Sequence, residues 1–238
     1  MAAKPAAEAK TRLAGALRRV IELRRQMASD RELTARVIAV KRWQAQRLRA
    51  TYADLMATSR YKPACEFFLD ELYGTRDFTQ RDTEALRVVS TLVRMLPERA
   101  VVALAMGSEL DELSELLDAR VATFVPRDAL GVADTKTTLD DAVYAAAYRA
   151  AGTRAERERQ IAHIVQIGRS LDKLAKLPLI SGMLHLMRGP ADAAGLSHLH
   201  EFLSEGFDSF HAMRGASEFL VTVQERETAL MASMLGDS

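Results

Sequence analysis

The stretch Leu13-Ala14-Gly15-Ala16-Leu17-Arg18-Arg19-Val20-Ile21-Glu22-Leu23-Arg24-Arg25-Gln26-Met27 decides the fold class. Leu13, Ala16, Leu17, Val20, Leu23 and Met27 recur at three- and four-residue steps, which places them on one face of a helix. Arg12, Arg18, Arg19 and Arg25 flank that face, where their aliphatic stems can cover apolar surface. Ser29-Asp30 is a cap signal for a second long helix through Leu33, Val37, Val40, Leu48, Tyr52 and Leu55. The two form a helical hairpin or one bent helix.

The same period continues outward along the chain. Pro63 opens a short helix that Gly74 closes, with Cys65, Phe68, Leu69 and Leu72 on one face and Glu66 and Asp70 on the other. Asp77 or Thr79 starts the next, carrying Leu86, Val89, Val93 and Leu96. Pro97 opens a segment expected to stop near Gly107. Ser108 is then expected to cap a new helix, because Glu109, Asp111 and Glu112 complement a helix dipole. That helix carries Leu110, Leu113, Leu117, Val121 and Phe124 as far as Pro126. Pro126 to Thr137 is the most loop-like stretch. Thr138 to Ala151 is alanine-rich, with Tyr144 and Tyr148 four apart, and Thr153-Arg154-Ala155-Glu156 fits a capping box. Pro178, Pro190 and Gly195 divide the region after Leu171 into short pieces, and two helices, Ser197 to Arg214 and Ser217 to Leu235, complete the pattern. No segment alternates like a half-buried strand. The reading is all-α: a multi-helix bundle with a long N-terminal helical hairpin. Residues 1–60 form a basic segment packed on the body, and residues 61–238 a bundle domain, together one cooperative unit.

Charge separates along the chain. Residues 1–60 carry 14 Lys or Arg against 5 Asp or Glu, and the remainder 19 against 27. A basic front and an acidic body can attract each other, so the asymmetry does not require an external partner. With 48% hydrophobic and 27% charged residues, the composition is that of a globular chain rather than a disordered one. No apolar run approaches the ~20 residues that cross a bilayer, and the first residues lack a hydrophobic signal core. The expected location is the cytoplasm. The single cysteine, Cys65, excludes an intramolecular disulfide and a cysteine zinc cluster.

Candidate chemistry is sparse. His198, Glu201, Glu205 and Asp208 share a helical face, the way ferritin-like metal sites are built. That face lies opposite the apolar stripe of Leu199, Phe202, Leu203, Gly206, Phe210 and Met213, so it reads as a solvated face. His185, within Gly182-Met183-Leu184-His185-Leu186-Met187, suits an axial haem ligand or, more simply, a hydrogen-bonded core histidine; His163 is similar. Cys65 shares a face with Phe68 and Leu72 and reads as a buried, inert thiol. No nucleophile elbow, phosphate loop, dinucleotide fingerprint or zinc-protease motif occurs. The segment containing Lys41, Arg42, Trp43, Arg47 and Arg49 joins positive charge to the sole tryptophan, a pattern that could serve nucleic acid or an anionic membrane, or pack on the acidic body.

Tyr61-Lys62-Pro63-Ala64-Cys65-Glu66-Phe67-Phe68-Leu69-Asp70-Glu71-Leu72-Tyr73-Gly74 resembles the signature of the bacterial FFLEELY-motif family. Asp70 stands where that motif has Glu and preserves the charge. The run Asp77-Phe78-Thr79-Gln80-Arg81-Asp82 is also similar, as is Gly206-Phe207-Asp208-Ser209-Phe210-His211-Ala212-Met213 with Glu218-Phe219-Leu220 and Arg226-Glu227. The resemblance implies a bacterial cytoplasmic helical protein and carries no catalytic residue. The motif reads as a tightly specified helix-turn-helix corner in the core, or as a corner where Tyr73, Arg76, Asp77, Arg81 and Asp82 line a ligand or partner site. No cofactor is predicted. The preferred reading is a non-enzymatic protein-interaction module, with a dimer through incompletely covered helices as one form of it. The alternatives are a bundle holding haem, a metal or a lipid, and a nucleic-acid or membrane binder through the basic helices.

Overall fold

The computed structural model describes residues 3–71, 78–130 and 139–236. Those residues form helices throughout, with no strand among them. In chain order the α-helices are α1 (Ala3–Ala28), α2 (Arg31–Thr51), α3 (Ala53–Met56), α4 (Lys62–Glu71), α5 (Thr79–Met95), α6 (Glu98–Thr123), α7 (Asp141–Ala150), α8 (Arg154–Ala175), α9 (Pro178–Ala193), α10 (Ser197–Ala212) and α11 (Ser217–Leu235), with a 3₁₀ turn at Arg127–Leu130. None of them is long and apolar enough to cross a membrane.

Helix α1 runs along α6 and also packs on α5, while α2 folds back to pack on α6. Asp30 makes the reversal possible: its carboxylate accepts the Glu32 and Leu33 amide N–H groups, both at 3.0 Å, capping α2 as the sequence predicts. The apolar face expected of α1 is the one it buries. Leu13, Leu17 and Val20 are almost wholly covered, and Leu13 and Leu17 join Ala85, Val89 and Ala105 in one cluster.

The basic front meets the acidic body along this seam. Arg12 grips Glu109 through two hydrogen bonds of 2.9 and 2.8 Å, and Arg19 grips Glu112 through two of 2.6 and 2.8 Å. This explains the principal departure from the sequence reading. Helix α6 runs unbroken through Gly107-Ser108, and Ser108 caps nothing. The acidic residues after it neutralise α1 rather than a helix end. Two further expectations are corrected. Thr153 stands at the start of α8, but its hydroxyl is buried without a partner and the capping box does not form. Pro190 lies inside α9, which continues to Ala193 and ends before Gly195, where φ is +65°.

The two blocks that carry the family resemblance pack on each other. Phe68 of α4 lies edge-on to Phe210 of α10, at 5.9 Å, and stacks on Phe219 of α11 at 6.0 Å. The Tyr61 hydroxyl donates to Glu218 at 2.5 Å. Gly206 permits a close approach: a Cβ there would stand 2.9 Å from Phe67 Cζ.

A buried ion network beside an apolar cavity

The sequence-predicted corner is partly visible. Tyr73, Arg76 and Asp77 lie outside the described residues. Arg81 and Asp82, on the first turn of α5, are brought into a network that sequence reasoning did not anticipate. Arg24 of α1 is its hub, bonded to Asp82, to Asp111 at 2.7 Å and to Glu115 at 2.9 Å. Lys41 of α2 also donates to Glu115, at 2.7 Å. Arg81 donates to Asp82 at 2.9 Å, to Glu71 at 3.2 Å and to Asp111 at 3.3 Å. Its guanidinium lies 4.6 Å from the ring centres of Phe78 and Phe202.

Burial and charge pull these carboxyls in different directions. At Glu115 burial favours the proton, but Lys41 and Arg24 outweigh it and hold the pKa below the usual carboxylate range. At Asp111 burial wins against Arg24 and Arg81 and pushes the pKa up. Asp118, one turn beyond Glu115, is pushed up in the same way by burial. It accepts a 2.8 Å hydrogen bond from Gln44, whose amide also donates to the Tyr144 hydroxyl at 3.1 Å. Burial lifts that phenol to about 12.

Beside the network lies a cavity of about 180 Å³. Helices α1, α4, α5, α6, α8, α9 and α10 all contribute to its wall. Leu13, Leu17, Leu104, Ile167, Leu184 and Leu203 supply aliphatic surface, and Phe67, Phe68, Phe207 and Phe210, from the two resemblance blocks, supply rings. Arg81, Asp82, Ser108 and Asp111 make one polar stretch of the wall. Gly107 also borders it, and a Cβ at that position would meet nothing within 4 Å.

Residues 23–238 match the family described as Domain of unknown function (DUF8198). The chain belongs to this family. Network and cavity both lie within the matched residues, apart from Leu13 and Leu17 of α1. Among curated proteins and solved structures, nothing matches.

The other candidate residues fall elsewhere. Trp43 is buried, stacks on Tyr144 with ring centres 3.5 Å apart, and donates its indole N–H to Asp141 at 2.8 Å. Lys41 is spent on Glu115 and Arg47 on Glu227, at 2.6 Å. Arg42 is half-buried, which leaves Arg49 exposed. The expected basic stripe is therefore largely turned inward, because α2 packs on the acidic α6. His185 is exposed on α9 rather than held in the core, since that helix buries Ile180 and Ala191 instead. Glu201, Glu205 and Asp208 are exposed. His198 leans on Glu84 at 2.9 Å, and the other oxygen of Glu84 accepts the Leu199 amide N–H at 3.0 Å, capping α10 from α5. Among the described residues no three His, Cys, Asp or Glu stand together to hold a metal ion. Cys65 is buried, and burial pushes its thiol up to about 11, which leaves little thiolate at neutral pH.

Proposed function

We propose that the protein binds a small, largely apolar molecule in the cavity between α6 and α9–α10. The observation that supports this is the size of the space. Cores rarely leave voids larger than a water molecule, whereas this one measures about 180 Å³. At ~24 cal/mol per Å³, filling a core space of this size is worth up to about 4 kcal/mol, a large share of the 5–15 kcal/mol that stabilises a typical domain. An apolar occupant gains it.

The size also sets the class of occupant. An apolar cavity of about 150 Å³ takes up benzene, so this one suits a single ring or a short alkyl chain. The polar stretch of wall offers hydrogen bonds for one end of such a molecule. Ser108 makes no other side-chain hydrogen bond among the described residues, whereas Arg81 and Asp82 are already committed to each other. The reading favours ligand binding over the protein-interaction module that the sequence alone suggests. It also favours an apolar ligand over haem, because His185 faces solvent.

The test is thermal unfolding, followed by far-UV circular dichroism, with toluene, indole and hexanol each added to saturation. A ligand at a hundred times its Kd stabilises by about 2.7 kcal/mol, a rise in Tm of about 5–10 °C for a chain of this size. The Gly107→Leu variant, which fills the space, should be more stable than the parent and lose that response. No shift with any of the three, or an equal shift in Gly107→Leu, overturns the reading.

A further inference from the structure

The cavity wall has more to say about its occupant than size alone. At the polar stretch every nitrogen of the Arg81 guanidinium already donates to a carboxylate: Nε to Asp82, Nη1 to Glu71 and Nη2 to Asp111. The rings of Phe78 and Phe202 lie against the same guanidinium. Acceptors are better supplied. Asp111 is the most open carboxylate of the network, with 18% of its side chain exposed against 4% for Asp82 and 9% for Glu71. It lines the cavity together with Ser108, one turn earlier on the same face of α6. Its Oδ1 accepts one hydrogen bond, from Arg24, and its Oδ2 one, from Arg81. An ionised carboxylate has about four acceptor sites, so Asp111 has capacity to spare on the cavity side.

The apolar wall is aromatic where it adjoins this stretch. The Phe202 ring, against Arg81, has its centre 5.6 Å from that of Phe67. Phe67 in turn lies 5.9 Å from Phe68, and Phe68 5.9 Å from Phe210. With Phe207, five of the chain's eight phenylalanines line this one space. Rings in such an array offer edges and faces that another ring matches better than an alkyl chain does.

We propose that the occupant is a small aromatic alcohol of the phenol class, with its ring among these phenylalanines and its hydroxyl donating to Asp111. The proposal rests on the cavity reading above and narrows it. A neutral hydroxyl fits better than either charged group. A ligand carboxylate would face Asp82 and Asp111 across the same stretch, with each Arg81 nitrogen already engaged. A ligand ammonium would bring a third cation to a carboxylate that Arg24 and Arg81 already serve. The hydroxyl adds one charge-assisted hydrogen bond and displaces none.

The test is isothermal titration calorimetry of the full chain with phenol, benzene, benzoate and benzylamine at neutral pH. A hydrogen bond to a charged acceptor should make phenol bind about tenfold or more tighter than benzene. Benzoate and benzylamine should both bind more weakly than phenol. Asp111→Asn, which keeps the shape and removes the charge, should reduce phenol's advantage over benzene by about threefold or more, whereas Ser108→Ala should retain it. If Asp111→Asn does not fold, the four-ligand comparison in the parent decides. Phenol no tighter than benzene, or benzoate or benzylamine tighter than phenol, overturns the proposal and leaves the cavity reading standing, because an aromatic molecule still binds. An advantage lost in Ser108→Ala and kept in Asp111→Asn also overturns it, since the hydroxyl would then meet the serine. Binding by none of the four overturns both.

Discussion

Arg24→Met tests whether the buried network holds the basic front to the body. The Arg24 side chain is 11% exposed, and those of Asp82 and Glu115 are each 4% exposed. Removing Arg24 leaves three buried carboxylates sharing only Lys41 and Arg81, and breaking a buried ion cluster in this way costs about 3–5 kcal/mol. Arg12→Met is the internal control. It breaks a two-bond grip of similar geometry on Glu109, but with the arginine 41% exposed, so it should cost less than about 1 kcal/mol. The comparison has a pH signature. In the parent, Glu115 has its pKa lowered, so its contribution is present above the unfolded value and is lost as pH falls through the folded one. Without Arg24, Glu115 keeps only Lys41 against burial and Asp111 keeps only Arg81, so both pKa values rise. A raised carboxyl is least harmful below its unfolded pKa of about 4 and costs stability as pH rises from there. The deficit of Arg24→Met should therefore be largest at neutral pH and shrink as pH approaches about 4. Urea unfolding at both pH values measures it. A deficit below about 1 kcal/mol at neutral pH, or one unchanged by acid, would refute the reasoning.

Three other outcomes follow from single positions. Gly107→Ala replaces a glycine inside a helix and adds a methyl to open space, so it should gain about 1–2 kcal/mol and raise Tm by about 2–6 °C in a calorimeter. Gly206→Ala should do the reverse, losing about 1–3 kcal/mol in urea unfolding because Phe67 must move. Cys65, with its thiol pushed up to about 11, should resist a disulfide reagent at neutral pH in the folded protein and react promptly once urea unfolds it. Rapid labelling of the native chain would place the thiol at the surface.

The fold class was legible because the helices bury one face each and the apolar period is strict. Leu13, Leu17 and Val20 were identified as the buried face of α1 from spacing alone, and Asp30 as a cap from its position between two periodic runs. What misled was local chemistry with a non-local use. Gly107, Ser108 and three acidic residues make a sound helix start when only neighbours are considered. The acidic side chains are instead partners for arginines about 90 residues earlier, as Arg12–Glu109 and Arg19–Glu112 show, and no local rule contains that pairing. Arg24 illustrates the same limit. It reads as one more flanking arginine, and only the packing of α1 on α6 makes it the hub of a buried cluster. The cavity left no trace in the sequence, because a void is a property of seven helices together.

Network and cavity are connected, since Arg81, Asp82 and Asp111 belong to both. Arg24 fixes Asp82 and Asp111 from behind, and they in turn hold Arg81, which leaves the polar stretch of cavity wall without freedom to collapse inward. A wall of aliphatic side chains alone could relax into the space and reduce its cost, as cores do when a site can close. Guanidinium and carboxylate groups tied to α1 cannot follow without giving up charge-assisted hydrogen bonds. On this argument the buried ions contribute less to stability than to keeping the cavity open. A charge cluster that a hydrophobic replacement could match in stability is then retained for the shape it imposes. The reasoning predicts a specific coupling: in Arg24→Met the cavity loses its support, and the Tm response to toluene should diminish even under conditions where the variant remains folded.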